Sequence, residues 1–181
     1  DSHAVGFMGA TGAGTPEHAG VSDRVDIYTG TFGKALGGAS GGYVSGPRGA
    51  LVLLRRAGPP HPFPNPLAPC IVAATVKALD LVERAGELRE RLFANATLFR
   101  TRMSEEGFEL LEGEHAIVAV MFGDAVKAAQ VASTMLEHGV YVTAFSYPVV
   151  PQGKARIRVQ LSAAHSAQDV EKAVQAFVAS R

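Results

Sequence analysis

Six of the ten prolines crowd into one stretch, AGPPHPFPNPLAP, from Ala57 to Pro69. Proline fixes φ, carries no amide hydrogen and pushes the residue before it out of the helical region, so this stretch can be neither a helix interior nor a central strand. It reads as a connector, and the chain on either side must organise itself separately. Upstream, Asp1 to Arg56 is rich in glycine with short apolar runs, of which DIYTG (Asp26–Gly30) and GGYVSG (Gly41–Gly46) read as strands flanking a loop. The opening DSHAVG reads as the end of a strand entering a loop, with the strand body lying upstream.

Downstream, apolar residues recur at helical spacing through Val72, Val76, Leu79 and Val82, and again from about Glu87 to Glu105, where Leu88, Leu92, Ala96, Phe99 and Met103 are expected inside. These two patterns predict long helices bridging two lobes. Next come strands FELLEG and AIVAVMF, and a helix from Asp124 as N-cap to Gly139 as its stop. Strands VYVTAF and ARIRVQL and a last helix beginning at Ser166 follow. Alternation of this kind predicts an α/β class, divided as residues 1–56, 57–106 (connector and bridging helices) and 107–181 (a small α/β domain).

With 47% hydrophobic and 19% charged residues, the 181-residue chain has the make-up of a soluble globular protein able to bury a core. Seventeen Lys and Arg offset seventeen Asp and Glu without a basic block, which argues against a nucleic acid partner or an anionic membrane surface. No apolar run is long enough to span a bilayer, and the opening residues lack the basic start and apolar core of a signal peptide. The lone Cys70 cannot form an internal disulfide; it reads as a small buried hydrophobe and fits a reducing, cytoplasmic setting.

One residue stands out in the glycine-rich loop. Lys34, in TGTFGKALGG, sits among glycines and hydroxyls at the end of an apolar run. An amine is un-nucleophilic while protonated, but burial and neighbouring dipoles can free it to form an imine with an aldehyde. Gly30, Gly33, Gly37 and Gly38 would let the backbone approach a planar cofactor, and Thr29 and Thr31 offer hydroxyls suited to a phosphate. On local chemistry alone, pyridoxal phosphate and a plain surface lysine in a glycine-rich turn both remain open.

Three motifs taken together, TGTFGKALGG, the opening DSHAVG and the late run YPVVPQGKARIRVQLSAAHS, resemble the α-oxoamine synthase family of pyridoxal phosphate enzymes, and within it the glycine C-acetyltransferases. The resemblance runs over essentially the whole chain and corresponds to the C-terminal half of such an enzyme. It implies a fold-type I pyridoxal phosphate transferase, aspartate aminotransferase-like, of which this chain is the end of the large domain plus the C-terminal small α/β domain. It also implies that Lys34 carries the cofactor as an imine, that Thr31 contacts its phosphate and that His3 bonds its phenolic oxygen. Arg158, the second arginine of R-I-R, would hold the amino acid carboxylate, as a guanidinium fork suits; Arg156 is expected on the opposite strand face. Glycine and acetyl-CoA would be the substrates and a homodimer the assembly, in the cytoplasm.

Two departures accompany the resemblance. The family's aspartate for the pyridine nitrogen stands three residues before the histidine, whereas Asp1 is only two before His3, so Asp1 is its acidic neighbour and not that partner. In the loop where the family reads F-S-N-S, this chain has Pro64, which offers neither hydroxyl nor amide hydrogen, and Asn65 is a possible substitute. Other α-oxoamine synthases, which join different amino acids to different thioesters, and a non-catalytic fragment are the alternative readings. GATGAGT (Gly9–Thr15) imitates a phosphate loop, but no adequate strand precedes it and Pro16 with His18 suggests a surface excursion. His115, His138 and His165 lack metal-ligand spacing and read as surface or capping residues. Ser146 and Tyr147 either line a substrate entrance or simply pack.

Overall fold

A computed structural model describes residues 1–58 and 67–181, so Pro64 and Asn65 lie outside the described residues. The chain forms two compact units, Asp1–Gly86 and Glu87–Arg181, in a mixed α/β architecture.

In the first unit the opening residues are a run of turns, not the strand end expected from DSHAVG. Val5 N–H donates to Asp1 O at 3.2 Å and Met8 N–H to Ala4 O at 2.9 Å, local bonds that curl the backbone before a ladder can form. A short helix α1 (Thr15–His18) follows, then the strands β1 (Tyr28–Thr31) and β2 (Gly42–Ser45), which pair antiparallel with Tyr28 opposite Ser45 and Thr31 opposite Gly42. Both expected flanking strands are therefore present, as the two arms of a hairpin. Helix α2 (Arg48–Ala57) was not read from the sequence; it buries no residue, and its signals are Pro47 at the N-cap and Arg55 and Arg56 in the last turn, where cations suit the helix dipole.

Helix α3 (Pro69–Glu83) starts with proline at its first position, where the missing amide costs nothing. Its periodic apolar residues Val72, Val76 and Leu79 are exposed, and the helix buries Thr75 instead. Cys70 is exposed too, against the expectation that it would be buried.

The second unit opens with α4 (Gly86–Glu105), whose Leu92, Ala96, Phe99 and Met103 are buried as the spacing predicts, while Leu88 near its start is exposed. Strands β3 (Ile117–Gly123), β4 (Thr143–Phe145) and β5 (Ala155–Gln160) form an antiparallel sheet in the order β3-β5-β4, with helices α5 (Ala125–Glu137) and α6 (Ala167–Ala179) completing the unit. The core joins Phe99 and Met103 of α4 with Val118 and Val120 of β3, Ile157 of β5, Met135 of α5 and Phe177 of α6. Phe177 meets Phe108 edge-on at 5.7 Å. Each such side chain contributes roughly 1.5–3 kcal/mol on burial, several times the ~1 kcal/mol of a helix cap.

Caps nevertheless fix where the elements end. Asp124 accepts the Lys127 N–H at 2.7 Å, and Ser166 and Asp169 form a reciprocal capping box at the head of α6. Gly107 (φ 77°) and Gly139 (φ 75°) close α4 and α5, with Phe108 N–H donating to Met103 O and Val140 N–H to Met135 O. The bond at Val140 is one reason VYVTAF becomes a strand only from Thr143. FELLEG is reduced to a bridge between Leu110 and Val120, set between Gly107 and Gly113, both at positive φ. Among the described residues no helix is long and apolar enough to cross a membrane.

Candidate active site

The hairpin connection from Phe32 to Gly41 presents Lys34. Phe32 N–H donates to Gly41 O at 2.9 Å and Gly38 N–H to Phe32 O at 2.6 Å, which pinches the loop's base, while Gly37 N–H donates to Lys34 O at 3.0 Å and turns the chain at the lysine. Lys34 lies exposed on this turn. Next to it, Ala35 N–H donates to Ser2 O at 3.5 Å, so the segment carrying His3, itself exposed, is tied to the lysine turn by backbone. The expected Lys34 and His3 thus belong to one local arrangement.

Thr31 ends β1, with Thr29 on the same strand face by the two-residue period. Its Oγ1 is buried and has no hydrogen-bond partner among the described residues. A buried hydroxyl left unpaired costs about 1–3 kcal/mol, and a phosphate oxygen would satisfy it. On that observation the residues present fit the phosphate end of pyridoxal phosphate.

The glycines play a different part from the one the sequence suggested. A Cβ at Gly30 would stand 2.5 Å from the Tyr43 ring, at Gly33 2.5 Å from Ala39 O, and at Gly38 2.6 Å from Thr75 Oγ1. Three of the four glycines stand too close to neighbours in the loop, β2 or α3 to carry a Cβ, and only around Gly37 is the space open. Tyr43 also stacks on Phe32 at 5.5 Å, and burial pushes its phenol pKa up.

The phosphate-loop imitation resolves on its hydrogen bonds. Glu17 accepts the Thr11 and Ala13 N–H groups and the Thr11 hydroxyl, and Asp1 accepts the Thr15 N–H at 3.0 Å and the Thr15 hydroxyl at 2.6 Å. Two carboxylates already occupy the donors that an anion would need. The same bonds, led by the Thr11 hydroxyl, hold the Glu17 carboxyl below its usual range.

Arg158 belongs to the second unit, on the central strand β5. Its guanidinium lies over the Phe145 ring at 4.7 Å and makes no ion pair or hydrogen bond among the described residues. It lines a cavity of about 410 Å³ together with Arg100, Phe145, Val150, Arg156 and Ala119. The expectation for Arg156 was wrong. Side chains two apart on a strand share a face, so Arg156 and Arg158 line the same cavity, and Ile157 between them points the other way into the core. Ser146 and Tyr147 do not line it; the chain contributes Phe145, Val149 and Val150.

Sequence reading also missed Arg100, whose only signal was a cation on the α4 face near the buried Ala96 and Phe99. It donates to Leu111 O and His115 O, both at 3.1 Å, and burial lowers its pKa. The histidines serve as braces: His115 Nδ1 accepts the Ile117 N–H, His165 Nδ1 accepts the Ser162 N–H, and His138 is the C-cap of α5. No metal-holding group of His, Cys, Asp and Glu occurs among the described residues.

A family description, aminotransferase class I and II, matches residues 1–177. The chain belongs to the aminotransferase class I and II family. Within this family it is 54% identical over 177 residues to 2-amino-3-ketobutyrate coenzyme A ligase of Escherichia coli (strain K12), covering 98% of this chain and 44% of that protein. It is 40% identical over 177 residues to 8-amino-7-oxononanoate synthase of Symbiobacterium thermophilum, covering 98% and 45%. A solved structure of SPT with PLP as an internal aldimine superposes with a TM-score of 0.94 at 32% identity, over 99% of this chain and 46% of that one. The α/β class and the fold-type I architecture expected from the motifs are both borne out. The chain spans under half the length of these relatives.

Proposed function

We propose that the protein containing this chain is a pyridoxal phosphate-dependent acyltransferase that condenses glycine with acetyl-CoA to 2-amino-3-ketobutyrate and CoA, and cleaves that ketoacid in threonine breakdown. The observation that carries the reading is the 54% identity, over nearly the whole chain, to a 2-amino-3-ketobutyrate coenzyme A ligase. Residues outside this chain complete the activity, and the assembly is a cytoplasmic homodimer. A neighbouring reading, another α-oxoamine synthase, draws on the 40% identity to an 8-amino-7-oxononanoate synthase.

Bound pyridoxal phosphate supplies an electron sink for charge developing at the substrate Cα. Thr31 Oγ1, buried without a partner among the described residues, would donate to the phosphate, and His3 would hydrogen-bond the phenolic oxygen. Lys34 Nζ would hold the cofactor's aldehyde and, when free, would be the base that takes the proton from the glycine Cα. Arg158 would fix the glycine carboxylate through its guanidinium fork, which stacks on Phe145 but meets no hydrogen-bond acceptor among the described residues. The carbon so activated bonds to the acetyl carbonyl, and CoA leaves as thiolate.

Borohydride reduction in the presence of pyridoxal phosphate, followed by intact mass and peptide mapping, tests the cofactor role. An adduct on Lys34 is expected; a protein that turns over glycine and acetyl-CoA without one would overturn it. Comparing glycine plus acetyl-CoA with alanine plus a pimeloyl thioester, whose decarboxylative condensation gives 8-amino-7-oxononanoate, then separates the two readings.

A further inference from the structure

The cavity beside β5 holds more positive charge than one carboxylate needs. Arg158 and Arg156 share its wall, their Cα atoms about 6.6 Å apart by strand rise, and Arg100 contributes a third guanidinium. Arg156 donates through Nε to Lys154 O at 3.3 Å and Arg100 to two carbonyls, all neutral acceptors, and the Nε of Arg100 is buried without a partner. Among the described residues the lining holds one carboxylate, that of Glu112, which is exposed. Among the described residues of the unit an ion-pair network lies elsewhere, where Arg102 gathers Glu105, Glu106 and Glu171. The three guanidiniums form no ion pair among the described residues, so they repel one another, and an anion entering the cavity relieves that repulsion.

From this we infer that the cavity is a site for a small molecule carrying two anionic groups, a dicarboxylate of about the length of succinate. Arg158 grips one carboxylate and Arg156 the other, and Arg100 adds its field from the cavity wall. The volume of about 410 Å³ admits such a molecule, and the Phe145 face under Arg158 leaves that guanidinium's edge available for a bidentate contact. The inference rests on the reading of Arg158 as an open carboxylate site. It predicts that dicarboxylates compete there with an amino acid.

The test is a titration of the chain with succinate and with acetate at matched ionic strength, so that screening is equal, following the arginine Nε–H resonances by NMR. Succinate should bind at least about tenfold more tightly than acetate, shifting signals of both Arg156 and Arg158. In Arg156→Gln the succinate affinity should fall to that of acetate, and in Arg158→Gln both should be lost. Equal affinities for the two anions in the unaltered protein would overturn the proposal, a result that needs no variant to fold. Unchanged succinate binding in Arg156→Gln would overturn it as well. Lys34→Ala should keep the succinate site, so its failure and the failure of the cofactor reading are told apart.

Discussion

The lysine hairpin and the sheet of the second unit are held by different forces. In the hairpin, backbone bonds such as Gly38 N–H to Phe32 O and close glycine contacts define the shape, and Lys34, His3 and Thr29 stay exposed. In the second unit, Phe99, Met103, Ile157 and Phe177 are fully buried, and apolar packing does the holding. Side-chain packing is thin around Lys34 and dense around Ile157 and Phe177. Substitutions at exposed hairpin positions should therefore change binding more than stability, and those at the buried core positions of the second unit the reverse.

The largest expected effect on stability is Phe177→Ala. Removing a ring with no solvent exposure that contacts both Phe99 and Phe108 should cost about 3–5 kcal/mol, read by chemical denaturation, while Lys34 labelling under native conditions persists. Gly33→Ala crosses the line between the regions. Its Cβ would press on the backbone oxygen of Ala39, for a loss of about 1–3 kcal/mol, and cofactor retention should weaken with it because Lys34 is the next residue; undiminished retention would show that the turn adapts. Ser166→Ala removes half of the α6 capping box and should cost ~1 kcal/mol, with the succinate site unaffected. Smallest in stability is Lys34→Ala, within about 0.5 kcal/mol at an exposed position, yet it should abolish the reduced cofactor adduct. A large stability change in that variant would break the comparison.

What the sequence made legible follows the same division. Elements marked by end signals were readable: Asp124 and Ser166 at helix heads, Gly139 as a stop, and the two arms around Lys34. Periodicity found α3 and α4 but not which faces meet the core, since Leu88, Val72 and Val76 obey the pattern and remain exposed. Helix α2 buries nothing, so no buried stripe marked it. Buried Asn95 escaped notice because its partners, Ser162 O and His165 O, are far away in sequence. Among the candidate residues, Lys34, His3, Thr31 and Arg158 came from motifs, whereas the glycine contacts and Arg100 depend on spatial neighbours that a linear reading cannot weigh. Arg156 differs from these, because the two-residue strand period alone puts it on the same face as Arg158.

That strand period has one more consequence. Ile157, wholly buried between the two arginines, nails the middle of β5 into the core, so the roots of both guanidiniums keep a fixed interval whatever their tips do. A molecule grasped by both is measured as by a caliper, and chain length, more than total charge, decides which anions are admitted.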